Sequence, residues 1–139
     1  MERIVVLIKP DGMKKGLVGE VISRFEKGGF KLLAVKMVKM NQKLLETWYA
    51  HHKDKPFFPS IVDFMRETPV VATLWQGENI IFRSRELTGP TDSKRASGGT
   101  IRGDFGEDIQ RNIIHVSDSP EAAKKEEELM FSPKEIFEY

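Results

Sequence analysis

Cysteine is absent from the chain, which removes disulfide staples, thiolate metal sites and a cysteine nucleophile, and suits a reducing compartment. Long apolar runs are absent too. Ile4-Val5-Val6-Leu7-Ile8 is a run of only five residues and gives way at once to Lys9-Pro10-Asp11-Gly12. That is far short of the roughly 20 residues of a spanning helix, and it does not resemble a signal-peptide core; a cytoplasmic protein with no membrane attachment is expected. Nor is there an excess of charge: 22 Lys and Arg face 21 Asp and Glu, for a net charge of +1. Bulk electrostatics therefore draws the chain neither to nucleic acid nor to an anionic membrane, and any anionic ligand has to be caught locally. Proline and glycine, at 7 and 11 residues, are too few for a disordered chain, and the 40% of hydrophobic residues can supply a core. A length of 139 residues fits one domain spanning residues 1–139.

The elements that are present alternate. Ile4 to Ile8 reads as a buried strand followed by a turn at Lys9 to Gly12, after which Val18, Val21, Ile22 and Phe25 recur at helical spacing until Gly28-Gly29. Phe30 to Met40 reads as a second strand, and Asn41 as the N-cap of a short helix carrying Leu44, Leu45, Trp48 and Tyr49. A polar connection, His51 to Pro56, leads to a helical face made by Phe58, Ile61, Val62 and Met65. Pro69 to Trp75 is a third strand, Ile80 to Leu87 a short helix, and Asn112 to Val116 a fourth strand. Ser119-Pro120-Glu121 opens the last helix with an N-cap serine, a proline at N1 and an acid in the first turn. The order β-α-β-β-α-β, with an extra helical pair, predicts an α+β chain of the ferredoxin-like split-βαβ type: a four-stranded antiparallel sheet covered by helices. Between Gly89 and about Gly106 lies a Gly-, Ser-, Thr- and Asp-rich stretch with no periodicity. A structureless loop that long in a small domain is more often functional than idle.

Three constellations carry chemistry. His115 closes an apolar strand beside Ser117-Asp118-Ser119, in front of a helix N-terminus that favours an anion. Glu126 follows Ala122 by four residues and precedes Leu129 and Met130 by three and four, which puts its carboxylate on the inward stripe, where it needs a partner. A carboxylate on one imidazole nitrogen would fix the tautomer and leave the other nitrogen free to attack. The alternatives are a core histidine satisfied by hydrogen bonds and a glutamate at the edge of the stripe turned out to water. Lys9, Arg85, Thr91 and Arg102 supply the ammonium, guanidinium forks and hydroxyl that a polyphosphate requires, although each taken singly also fits a solvated surface. Phe57, one position off the helical stripe, is a stacking surface for a base; Phe58 fits the core, and His51 and His52 read as exposed. No P-loop, GxGxxG, HExxH or GxSxG pattern is present.

Taken together, Ile8-Lys9-Pro10-Asp11-Gly12, Gly16-Leu17-Val18-Gly19-Glu20, Lys55-Pro56-Phe57-Phe58, Pro69-Val70-Val71-Ala72, Gly99 to Phe105 and Asn112 to Ser119 resemble the nucleoside diphosphate kinases over essentially the whole chain. The resemblance implies a ping-pong transfer of the terminal phosphate of a nucleoside triphosphate to a nucleoside diphosphate, which maintains triphosphate pools, with Mg²⁺ carried mainly by the nucleotide phosphates and no protein metal site. It implies that His115 is the phosphorylated nucleophile, that Glu126 and Ser117 orient it, and that Phe57 stacks on the base. Lys9, Tyr49, Arg85, Thr91, Arg102 and Asn112 match positions that hold phosphates and ribose or support the groups that do. The chain ends at Tyr139 as bacterial and archaeal members do, and these form hexamers or tetramers; a homo-hexamer is the expectation, with no nucleic acid required.

Two departures stand out. Val116 replaces the small residue that commonly follows the histidine, so any turn there has to be made without a positive φ at Val116. Ser93 and Gly98 stand where prolines are usual, which should leave the loop less rigid and put oligomer stability in doubt. The spacing also poses a problem. Asn112 and His115 are an odd number of residues apart, so a regular strand would send them to opposite faces; a local irregularity before His115 is expected. A second reading of the chain, as a nucleic-acid-binding or regulatory ferredoxin-like module, has the near-zero net charge and the absence of RNP aromatics against it.

Overall fold

The middle of the structure is a strand with no polar face. β1 (Glu2–Ile8) buries Ile4, Val5, Val6, Leu7 and Ile8 completely, and because side chains alternate across a strand it feeds two cores at once. The computed structural model, which describes residues 1–139, places β1 between β3 (Val70–Gly77) and β4 (Ile114–Val116), with β2 (Lys31–Val38) outside β3. The order β2-β3-β1-β4 with every neighbour antiparallel is the expected split-βαβ sheet. On one face Ile4, Val6, Ile8, Val71 and Trp75 pack against α2 (Val18–Lys27), α5 (Ile80–Thr88) and Ile101. On the other, Val5, Leu7, Val70, Ala72 and Leu74 pack against α3 (Gln42–Trp48), α4 (Phe58–Met65) and the end of α7 (Pro120–Met130).

The caps are where the sequence puts them. The Asn41 side chain accepts the Leu44 N–H at 2.8 Å, and Ser119 Oγ accepts the Ala122 N–H at 3.0 Å with Pro120 at N1. The only buried threonine of the sheet is satisfied: Thr73 Oγ1 donates to the Val6 carbonyl at 2.9 Å and accepts the Trp75 indole N–H at 2.8 Å. The final segment packs along the sheet. A bulge between Leu32 and Ala34 frees the Leu33 carbonyl to accept the Phe137 N–H at 2.9 Å.

Several boundaries differ from the sequence reading. Lys9 to Gly12 is not a bare turn; Pro10–Lys14 is a short helix, α1, started by a proline at N1 and an acid in its first turn. The segment from Gly89 to Gly106 is not structureless. It holds a 3₁₀ turn at Ser93–Arg95, capped by Asp92, and α6 at Ile101–Phe105, capped by Thr100, whose Oγ1 accepts the Gly103 N–H at 3.0 Å. Five residues are too few to show a period, so only the cap could have announced α6. The fourth strand begins at Ile114, not Asn112. β3 runs on to Gly77, where a Cβ would lie 2.8 Å from the Phe30 ring.

Because α7 carries Glu126, its cap is a sensitive place to test the fold. Ser119→Ala should lower unfolding stability by about 1 kcal/mol and Ser119→Gly by only a few tenths; urea titration reads the difference, and equal losses would remove the capping role.

Candidate active site

His115, Glu126 and Ser117 meet at one oxygen. β4 ends in His115 and Val116, paired with Leu7 and Val6 of β1, and α7 returns over the strand so that Glu126 faces it. Glu126 Oε1 lies 2.9 Å from His115 Nε2 and accepts the Ser117 hydroxyl at 2.6 Å. Ser117 Oγ in turn accepts the Val5 N–H at 2.9 Å. Backbone amide, hydroxyl, carboxylate and imidazole form a chain in which each bond polarises the next. Since a carboxylate only accepts, Nε2 carries the ring proton and Nδ1 holds the lone pair. Nδ1 makes no hydrogen bond within the protein, whereas the Glu126 side chain is 13% exposed and that of His115 21%. Trp48 meets the imidazole edge-on, ring centroids 5.3 Å apart.

His115 belongs to the wall of a cleft of about 590 Å³. Of the ten residues singled out in the sequence, Lys9, Tyr49, Phe57, Arg85, Thr91, Arg102, Asn112, His115 and Glu126 line it; Ser117 lies behind, fully buried. The cations there are unusual in being inside. Lys9 is 8% and Arg102 4% exposed. Burial pushes the Lys9 ammonium down to about 8, with Arg102 adding to the effect and Asp11 opposing it. Burial pushes the Arg102 guanidinium down to about 10, helped by neighbouring Arg85, and it stays charged at neutral pH. Burial also pushes the Tyr49 phenol up, with the Glu126 charge adding to it. Positive charge is thus held in a place where it is under-solvated, which an anion corrects.

Two of these residues hold the protein as well as face the cleft. Lys9 Nζ donates to Asn112 Oδ1 at 2.7 Å and to the Gln110 carbonyl at 2.8 Å, and the Asn112 amide donates to the carbonyls of Thr91 and Ile109 at 2.9 and 3.1 Å. Asn112 therefore has no free amide hydrogen and acts on the cleft through Lys9. Arg102 donates to the carbonyls of Gly89, Asn112 and Ile114 at 3.2, 3.2 and 2.7 Å, using three of its five N–H groups.

The expected irregularity before His115 is found at Ile113, whose φ is +76°, a conformation costing a β-branched residue about 1–3 kcal/mol. Val116 stays in the regular strand, so its bulk is not in conflict with any turn.

Other residues of the cleft had no signal of their own in the sequence. Ile109, 65% exposed, joins the expected Phe57, 47% exposed, as its bare apolar residues; Trp48, Phe64 and Gln110 also line it. Asp118, which the sequence marks only as a neighbour of His115, is also part of the cleft wall. His52 is not exposed as expected but half-buried, its ring 5.1 Å from that of Phe57 and 6.4 Å from that of Tyr49; His51 is exposed. The aromatic spacing Tyr49, Phe57 was a clue to the enclosure of His52. The other residues are apolar or amide side chains among many.

A split-βαβ sheet that sets two buried cations and a carboxylate-bound imidazole in the wall of one cleft defines an α+β protein with an anion-binding site. The family model described as Nucleoside diphosphate kinase matches residues 2–136, and the chain belongs to that family. Nucleoside diphosphate kinase from Carboxydothermus hydrogenoformans is 49% identical over 139 residues, covering 100% of this chain and 93% of that protein. The Saccharomyces cerevisiae enzyme of the same name is 46% identical over 138 residues, covering 99% and 90%. Among solved structures, a nucleoside diphosphate kinase from Halobacterium salinarum in complex with CDP superimposes with a TM-score of 0.96 at 39% identity, covering 99% of this chain and 92% of that one.

The depressed Lys9 value has a measurable consequence. Between about 8 and the ordinary 10.5 the unfolded chain carries a proton that the folded protein has shed. The contribution of this group to stability is therefore lowest below pH 8 and rises as pH increases towards 10.5. From about pH 7.5 to about pH 9.5 the stability of the wild type relative to Lys9→Met should rise by about 1–2 kcal/mol, measured by urea unfolding. A pH-independent difference would contradict the burial argument.

Proposed function

We propose that His115 Nδ1 is the covalent carrier in a ping-pong transfer of the terminal phosphate of a nucleoside triphosphate to a nucleoside diphosphate. The observation that carries this reading is the Ser117–Glu126–His115 chain, which fixes the proton on Nε2 and leaves Nδ1 without a partner in the protein, on a residue that lines the cleft. Phosphate transfer between nucleotides is the activity of the family to which the chain belongs.

In the first half-reaction the Nδ1 lone pair forms a bond to the γ-phosphorus as the bond from phosphorus to the β–γ bridging oxygen breaks, and the nucleoside diphosphate leaves with that electron pair. The ring becomes cationic, and the Glu126 carboxylate on Nε2–H stabilises it. A second nucleoside diphosphate reverses the step by attacking phosphorus with its terminal phosphate oxygen. Phosphoryl transfer asks mainly for positioning and charge neutralisation, and Lys9, Arg85 and Arg102, with the Thr91 hydroxyl, supply both. Phe57 offers a face on which any base can stack, with Ile109 as a second apolar surface. Tyr49, enclosed beside His52, helps to shape the wall on that side.

Magnesium would enter on the nucleotide. No three His, Asp or Glu side chains converge anywhere in the chain, so the donor set fits a cation that takes its ligands from phosphate oxygens and water, with Asp118 as the exposed carboxylate of the cleft. The bound ion neutralises phosphate charge. We place the enzyme in the cytoplasm, in keeping with the lack of any helix long and apolar enough to cross a membrane. We favour a homo-hexamer over a tetramer; the outer strand β2, with Val35 and Met37 exposed at 53% and 64%, supports self-association. The nucleic-acid module is disfavoured, because Lys9 and Arg102 are buried in the wall of one cleft and not spread along an exposed face.

Incubation with γ-labelled ATP should give an acid-labile label that chases onto GDP or UDP and is absent from His115→Ala. An acid-stable label, or an undiminished one in that variant, would sink the covalent mechanism. Glu126→Ala should form the phosphoenzyme about 10–100-fold more slowly, the worth of one charge-assisted hydrogen bond, with its circular dichroism unchanged; a wild-type rate would remove the orienting role.

A further inference from the structure

One buried carboxylate near the cleft has no role in this scheme. Asp11, 3% exposed in the first turn of α1, accepts the Ile113 N–H on Oδ2 at 2.9 Å, and its Oδ1 is buried without a partner. The residue it grips is the strained one. Ile113 has φ +76° and Ile114 N–H donates to the Asn112 carbonyl at 2.9 Å, which closes a three-residue γ-turn of the hand that L-residues rarely adopt. From the other side the Ile113 carbonyl accepts the Lys9 N–H at 2.9 Å. Gly12 lets α1 approach this closely, since a Cβ there would lie 3.0 Å from Ile8 Cγ2 and 3.1 Å from the Ile113 carbonyl oxygen.

The turn answers the spacing problem. In a regular strand Asn112 and His115 would point to opposite faces, yet both line the cleft. A β-branched residue left to itself prefers negative φ. Without an acceptor the Ile113 N–H would also be a buried, unpaired donor, which favours a different peptide orientation.

We propose that Asp11 is a positioning residue for phosphoryl transfer, its carboxylate locking the Ile113 γ-turn and so setting the directions of the His115 ring and of the Asn112–Lys9 pair. Asp11 touches no substrate in this account; it acts through the backbone. The proposal rests on His115 being the carrier.

The test is a set of variants assayed for the rate of phosphoenzyme formation, for nucleotide KM, and for hydrogen exchange of the Ile113 amide by NMR. Asp11→Ala should slow phosphoenzyme formation about 10–100-fold with KM changed less than about threefold, and should expose the Ile113 amide to exchange. Asp11→Asn, which keeps a carbonyl oxygen for the amide, should recover most of the rate and the protection. Glycine adopts positive φ freely, so Ile113→Gly in the Asp11→Ala background should regain part of the lost rate. Should Asp11→Ala not fold, Asp11→Glu keeps the charge but displaces the acceptor: slow transfer supports the clamp and a wild-type rate overturns it. Also fatal would be a loss confined to KM, an Asp11→Asn variant as slow as Asp11→Ala, or an Ile113 amide still protected in Asp11→Ala. If the wild type itself forms no acid-labile label, the carrier reading fails, while steady-state kcat and Ile113 exchange still judge the clamp.

Discussion

A single buried guanidinium ties the site together. Arg102 donates to carbonyls of Gly89, Asn112 and Ile114, which belong to the start of the long loop, the γ-turn and the fourth strand. Three segments distant in sequence or differing in conformation are thereby held at fixed separations around one planar fork. The Asn112 carbonyl, which already closes the γ-turn by accepting the Ile114 N–H, takes a second bond from this guanidinium, so the turn and the loop are met by one buried donor group. α6 carries the residue that makes these bonds, and buries Ile101 in the core beside it.

The same arrangement explains why the cleft suits polyphosphate. Placing Lys9 and Arg102 inside costs solvation, seen in the downward displacement of both from their ordinary values, and Asp11 offsets only part of it. The free protein thus keeps positive charge that burial has stripped of water in the wall of the cleft. A ligand bearing several negative oxygens gains from what the empty cleft lacks, and low local dielectric makes each contact stronger than at a surface. The near-neutral surface elsewhere keeps that attraction confined to one place.

Much of this was legible in the residues. β1, β3 and the frame of α7 were readable because apolar runs and caps are local signals, and the inward position of Glu126 followed from helical periodicity and was borne out by its bonds to His115 and Ser117. The helices Pro10–Lys14 and Ile101–Phe105 were not readable, being too short to show a period. Asp11 looked like a turn former, and nothing in its type shows that its carboxylate reaches a residue about a hundred positions away. Ile113 was hidden for a deeper reason. Positive φ is normally announced by Gly or Asn; at Ile113 tertiary hydrogen bonds override the intrinsic preference, so only the odd spacing between Asn112 and His115 betrayed that something had to give.

The two-sided burial of β1 bears on how the chain finds its pairing. Where one face of a strand meets water, a slip by one residue exposes apolar side chains and is rejected on polarity. β1 has no such face, because Ile4, Val6 and Ile8 would simply trade cores with Val5 and Leu7. Alignment against β3 must be read by shape and by the one polar contact buried between them, the Thr73 hydroxyl on the Val6 carbonyl with the Trp75 indole behind it. That hydroxyl is a vernier mark on an otherwise greasy ruler: remove it and neighbouring alignments become closer in energy, so the price falls on folding fidelity more than on the finished fold.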